Sequence, residues 1–270
     1  MAHKKTILNY SQKLFPSKVK DRIFFLHLPK CGGTSIIDAI ASHYGLAEVV
    51  SRRHFFAVSP EASEKAARLL GQDMWTYREN LLLYYMSDPK MKYVSGHFLY
   101  SERAMQEYKE CWSFVTILRD PVSRWFSHYF MDRYKDTVPE FAKIGLDLEA
   151  FIETEEAKFF GAFYAVAFNG NVSVAEATTQ SGINRAIANL EKFSLVGTLE
   201  NIDRFAEDYR GIFGAELLIP RRNTSVVAQE KQHSLVTPEI RAKVEELCQA
   251  STEIYQYVLG KDSCFAQSAP

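Results

Sequence analysis

The sequence has no Cys-x-x-Cys pair and no Cys/His set at metal-ligand spacing; its four cysteines, Cys31, Cys111, Cys248 and Cys264, stand far apart. That spacing gives neither a structural zinc site nor a disulfide framework. Glycine and proline are sparse, 13 and 9 in 270 residues, which excludes collagen-like and low-complexity chains. No apolar run is long enough to cross a bilayer and no signal-peptide pattern opens the chain. The expected compartment is therefore cytoplasmic, although a chain trimmed of an N-terminal membrane anchor would read the same. Nor is one sign of charge in excess: 32 Lys and Arg face 33 Asp and Glu, a net charge of -1. No bulk basic field draws this chain onto nucleic acid, so any anion site has to be built locally.

What is present is an ordinary globular composition, 47% hydrophobic and 24% charged, long enough for one substantial core. Short apolar or aromatic runs at Arg22–His27, Lys92–Val94, Trp112–Leu118 and Leu195–Thr198 predict strands. Helical stretches are expected near Thr34–His43, Pro60–Leu70, Tyr77–Met86, Ser101–Lys109, Pro121–Tyr134, Ile183–Leu190 and Ile202–Phe213, with a last one from Pro238 to about Val258. Residues 137–180 mix helix and loop. Strands alternating with helices imply an α/β fold, a single domain with a mainly parallel central sheet flanked by helices. The division is a basic N-terminal arm at 1–20, the domain at 21–260 and a C-terminal tail at 261–270. The arm carries Lys4, Lys5, Lys13, Lys18 and Lys20. It reads as a solvated tail, or else as a contact for an acidic polymer or a membrane surface.

Two strand–turn–helix units carry the chemistry. In the first, Pro29-Lys30-Cys31-Gly32-Gly33-Thr34-Ser35 joins the first strand to a helix. Paired glycines let backbone N–H groups turn inward, and a helix N-terminus adds unpaired amides and a positive dipole end. Lys30 contributes a mobile cation, and Thr34 and Ser35 contribute hydroxyls. A plain Gly-Gly turn capped by Thr34 explains the glycines but not the lysine. In the second, Arg119 leaves the carboxyl end of the strand Trp112–Leu118, Asp120 and Pro121 open a helix, and Ser127 follows two turns in. Arginine meets phosphate oxygens with a planar fork that stays charged. Arg124, Trp125 and Tyr129 are expected to pack or to form salt bridges.

The first unit is not a Walker A loop, in which lysine follows the last glycine. It resembles the 5′-phosphosulfate loop of sulfotransferases that use 3′-phosphoadenosine 5′-phosphosulfate (PAPS), closest to the carbohydrate (heparan sulfate) 2-O-sulfotransferase-like group and its bacterial relatives, with Cys31 where threonine is commoner. The second resembles that family's 3′-phosphate motif, an arginine with a serine eight residues on, here Arg119 and Ser127. The segment Tyr93-Val94-Ser95-Gly96-His97-Phe98 resembles the stretch carrying the catalytic histidine. Val196-Gly197-Thr198-Leu199-Glu200 is a weaker likeness. The loop at Arg221 and Arg222 is similar to a segment that closes over the nucleotide, and equally to a solvated basic loop.

The resemblance implies a P-loop-like sulfotransferase fold and a metal-independent transfer of a sulfuryl group from PAPS, the co-substrate, to a hydroxyl-bearing acceptor, a glycan or a small molecule. Lys30, Cys31, Gly32, Gly33, Thr34, Ser35, Arg119, Ser127, Arg221 and Arg222 would hold the nucleotide. His97 would be the base and Lys30 would neutralise the leaving group. His27 ends a strand beside the loop and is expected to hold it; His54, beside Arg52 and Arg53, would line an acceptor pocket or a surface loop. His27, or a carboxylate such as Glu102, is the next candidate base. The competing readings are a P-loop-type nucleotide kinase or NTPase, and a nucleotide-binding scaffold without catalysis.

Overall fold

A computed structural model describes residues 22–45, 54–219 and 235–265 of the chain. The basic arm, Arg52, Arg53, Arg221 and Arg222 lie outside the described residues.

Five strands form one sheet: β1 Arg22–Leu26, β2 Phe55–Ala57, β3 Tyr93–Gly96, β4 Trp112–Leu118 and β5 Leu195–Thr198, in the order β2-β3-β1-β4-β5. Every pairing is parallel. The inner strands read as continuous apolar runs because helices cover both faces. In β1, Ile23, Phe24, Phe25 and Leu26 are all buried. Thr116, a polar residue buried in β4, donates its hydroxyl to Leu26 O at 2.8 Å. The chain leaves β1 toward β2 and leaves the adjacent β4 toward β5. Neighbouring parallel strands whose connections depart in opposite directions leave a crevice at their carboxyl ends, where open α/β sheets hold ligands.

The flanking helices are α1 Gly33–Ser42, α2 Pro60–Leu69, α3 Met74–Ser87, α4 Glu102–Tyr108 and α5 Pro121–Tyr134. Then come α6 Leu148–Phe151, α7 Glu155–Gly161, α8 Phe163–Asn169 and α9 Val174–Ala177, which resolve the mixed middle region into short helices. Asp147, Thr154 and Ser173 start α6, α7 and α9 by accepting a first-turn amide. In α8, Phe163 to Phe168 are buried without a polar face, the pattern of a helix enclosed by others. The chain ends with α10 Gln180–Leu190, α11 Ile202–Phe213, α12 Pro238–Leu247 and α13 Gln249–Phe265. No helix among the described residues is long and apolar enough to cross a membrane.

Two expectations are corrected. The sheet has a fifth strand, β2, unrecognised in the sequence because it is a three-residue edge strand that is only partly buried. The last helix is not continuous from Pro238 to Val258 but breaks at Cys248. At the break Gly161 approaches so closely that a Cβ there would lie 2.3 Å from Leu247 O, and Ser251 Oγ donates to Gly161 O at 2.5 Å. The break lets α12 pack with Trp125, Phe126 and Phe160 in a satellite core, while Ile254 and Tyr255 of α13 join the main one.

Candidate functional site

The carboxyl ends of β3, β1 and β4 lie side by side and carry His97, Lys30 with His27, and Arg119. Between β1 and α1 the backbone turns sharply. Lys30 has φ 66°, and among the described residues it is the one non-glycine with positive φ. That conformation costs an L-residue roughly 1–2 kcal/mol. Gly32 is also left-handed, with φ 73°. It is Gly32, not Thr34, that precedes the helix, and it has no side chain to cap it. The first-turn amides of α1 are therefore left to solvent or a ligand. Thr34 is exposed and Ser35 partly so, at the rim of the loop. The Cys31 thiol turns the other way, fully buried against the Tyr164 hydroxyl at 3.3 Å. Burial pushes that thiol up to about 11. Cys31 thus offers a ligand its backbone alone.

Gly33 has no Cβ because His27 occupies the space: an added methyl would sit 1.9 Å from His27 Cδ2. The His27 ring in turn meets the His97 ring, centroids 4.7 Å apart. Burial, reinforced by Lys30, lowers His27 to about 4. His97 follows Gly96, whose φ of 138° and close approach to Val58 exclude a side chain there. The His97 carbonyl accepts from Nη1 of Arg78 at 2.9 Å, and Arg78 Nε donates to Ser63 Oγ at 2.9 Å. Arg78 is buried and stacked over Trp75, so helix α3 fixes the His97 loop from behind. Burial, then His27 and Arg78, hold His97 well below the usual histidine range. The neutral ring is able to accept a proton.

At the end of β4, Asp120 caps α5 through Ser123 N at 2.8 Å and Pro121 takes the first helical position. Glu200 locks the turn from β5's side, accepting from Asp120 N at 3.0 Å and from Tyr255 at 2.8 Å. Arg119 Nη1 donates to Lys30 O at 3.3 Å, which joins the two loops directly. Tyr164 joins them again: its hydroxyl accepts from Arg119 N at 2.9 Å and donates to Arg119 O at 2.7 Å, beside the Cys31 sulfur. Ser127 is partly exposed on α5, its hydroxyl without a partner among the described residues.

The strand ends thus bring together Lys30, Gly32, Gly33, Thr34, Ser35, His27, His97 and Arg119. They do not include His54, which precedes the parallel strand β2 and so lies at the opposite edge of the sheet. Glu102 is no base candidate either. It is engaged by Tyr100 and by Lys192 at 3.0 Å, and those bonds lower its pKa. Arg124 forms no salt bridge among the described residues; it is fully buried, bonded to Phe160 O and stacked on Phe163 and Tyr164. A groove of about 690 Å³ runs along the flank between Trp75, Tyr100, Asn171 and Lys192, and none of the strand-end residues lines it. Tyr164 and Arg78 went unrecognised in the sequence. No protein-family model matches the chain, and no curated protein matches it significantly.

Proposed function

We propose that this chain is a sulfotransferase of P-loop-like fold that moves a sulfuryl group from PAPS to a hydroxyl acceptor, a sugar or glycan in the first instance. The observation that carries the reading is Lys30 held in a left-handed turn ahead of an uncapped helix, its carbonyl bound by Arg119 from the next strand. A strained, charged residue at a strand end is what an anion site needs and a plain turn does not. The uncapped α1 amides, Lys30, Thr34 and Ser35 would take the 5′-phosphosulfate. Arg119 and the unpartnered Ser127 hydroxyl would take the 3′-phosphate. His97, neutral in its setting, takes the acceptor proton, while Lys30 and the amides neutralise charge on the departing phosphate oxygen. A sulfonate carries less charge than a terminal phosphate, so this reading calls for no metal.

A metal-dependent kinase needs a free carboxylate at a strand end. Asp120 caps α5 and Glu200 is bound to Asp120 N and Tyr255, so the strand-end acids are engaged.

Calorimetry tests the reading. Adenosine 3′,5′-bisphosphate should bind well, with 5′-AMP and ATP weak, and Arg119→Ala should cost the bisphosphate about 1.5–3 kcal/mol, roughly 10- to 150-fold. Equal affinity of the unmodified chain for bisphosphate and 5′-AMP defeats it. Transfer from labelled PAPS should fall about 10²–10⁴-fold in His97→Asn with nucleotide affinity nearly intact. Because the His97 pKa is lowered, the competent neutral ring persists to acid pH. The acid limb of kcat/KM should therefore lie well below 6.5.

A further inference from the structure

The Lys30 side chain has a partner that the proposed reaction does not use. Its Nζ lies 3.1 Å from Sδ of Met131, near the end of helix α5. Among the described residues no carboxylate lies within ion-pair distance of that ammonium. Asp132, the residue after Met131, turns its carboxylate to His128 instead, with His128 Nε2 3.3 Å from Asp132 Oδ2. Both ends of the Lys30–Met131 contact are fixed. Lys30 starts from a backbone held at φ 66°, its carbonyl bound by Arg119. Met131 stands in the last turn of α5, where its carbonyl accepts from Lys135 N at 2.9 Å. A thioether is a weak acceptor, so the ammonium sits on a rest it can leave. Met131 is also reachable from outside. Met86, Met91 and Met105 are buried, whereas Met131, like Met74, is partly exposed.

We infer that Met131 is a positioning residue for Lys30, and that hydrogen peroxide turns its thioether from a weak rest into a strong one. The Sδ lone pair attacks one peroxide oxygen; the O–O bond breaks and an S–O bond forms. The proton on the transferred oxygen passes to the departing hydroxide, which leaves as water. Sulfur is oxidised by two electrons and the peroxide is reduced by two. The sulfoxide oxygen stands one bond from the atom that Lys30 already touches. It is a polar acceptor where sulfur was a weak one, and a hydrogen bond to it from a charged donor belongs to the strong class. Oxidation therefore tightens the hold on the ammonium without moving either backbone. Methionine sulfoxide reductases undo the change, so the contact works as a reversible switch. Its consequence for binding rests on the reading of Lys30 as an anion ligand. An anion has to draw Lys30 off Met131, which a thioether permits and a sulfoxide opposes.

The test compares the full-length chain with Met131→Leu, which keeps the bulk and removes the acceptor. Peptide mapping after graded hydrogen peroxide should find Met131 oxidised at doses that spare Met86, Met91 and Met105. The Lys30 ammonium is then read by ¹⁵N NMR of the lysine side chains, its signal assigned from its loss in Lys30→Arg. Oxidation should shift that signal and slow the exchange of its protons with water by about tenfold. In Met131→Leu the exposed Cys111 and the partly exposed Met74 remain to react, yet peroxide should leave the Lys30 signal in place. A Met131 spared until the buried methionines react overturns the inference, and so does a Lys30 signal that ignores Met131 oxidation. If Met131→Leu does not fold, the Lys30 change in the unmodified chain has to track the oxidised fraction of Met131 and not that of Met74; failure to do so overturns it equally. No ligand enters these measurements. Calorimetry with adenosine 3′,5′-bisphosphate adds the link to binding: affinity should fall about tenfold on oxidation of the unmodified chain and hold in peroxide-treated Met131→Leu. A Lys30 signal that responds without that loss removes Lys30 from the nucleotide reading and leaves the Met131 inference standing.

Discussion

The two strand-to-helix loops, given similar work in the proposed function, are built by opposite means. The β4–α5 loop is closed: Asp120 caps the helix, Pro121 fills its first position, and Glu200 fastens the turn from outside. What it presents is one side chain, Arg119. The β1–α1 loop is open: Gly32 cannot cap, Lys30 sits in a left-handed conformation, and Gly33 yields its side-chain space to His27. What it presents is backbone, with the Lys30, Thr34 and Ser35 side chains at its rim. A site that must surround an anion closely uses amides and leaves them unsatisfied in the folded chain. A site that only needs a charge at a distance can be built on a stable, conventionally capped turn.

The contrast can be broken most severely at Lys30. Lys30→Gly should lower turnover on the order of 10²–10³-fold, the usual loss when one transition-state stabilising group is removed. The same change should stabilise the fold by about 1 kcal/mol, because glycine carries no penalty at φ 66°. Thermal melts and single-turnover rates on one preparation check both halves, and a less stable Lys30→Gly protein would show that the turn is not strained. At the next scale, Gly33→Ala should cost about 1–3 kcal/mol by forcing the His27 ring aside, and His27→Ala in the same chain should restore much of it. Absence of that rescue in chemical denaturation would remove His27 as the cause. The closed loop should respond least: Asp120→Ala loses an N-cap worth about 1 kcal/mol. A Tm loss there larger than that of Gly33→Ala would invert the comparison.

The pH dependence of stability sharpens it further. His27 is depressed to about 4, so its contribution is present above pH 6.5 and lost as pH falls through 4. Asp132 is raised to about 7, so its contribution is present below pH 3.8 and lost as pH rises through 7. Asp132→Asn should therefore raise Tm at pH 8 and not at pH 3.5, measurable by calorimetry across that range.

Much of the β1 and β4 loops was legible because each places a glycine pair, a proline or a lone cation directly after an apolar run. The alternation of strands and helices gave the α/β class for the same reason. Tyr164 was not legible. It lies in Phe163-Tyr164-Ala165-Val166-Ala167-Phe168, an all-apolar helix in which one tyrosine reads as core, and only the fold brings its hydroxyl to residues 31 and 119. Arg78 was hidden likewise, since a lone arginine on α3 reads as a solvated face although it is buried under His97. The His128–Asp132 pair did have a signal, its spacing of four on a helix. The break at Cys248 had none, because Gly161, which forces the close approach, lies far away in the sequence.

The Tyr164 hydroxyl touches both loops at once, and that makes it a caliper. One oxygen, held by a helix enclosed on all sides, fixes how far the first loop, and with it the first anion pocket of the proposed function, stands from the second. Two charged groups on a single sugar also come at a set separation. When jaw and object are both rigid, neither loop has to be ordered by the ligand. The loss of chain freedom has already occurred during folding and does not weaken the encounter. On the proposed reading, a ligand whose two anionic ends are spaced differently would close on one jaw only, and the gauge would discriminate by length before any base or ring is read.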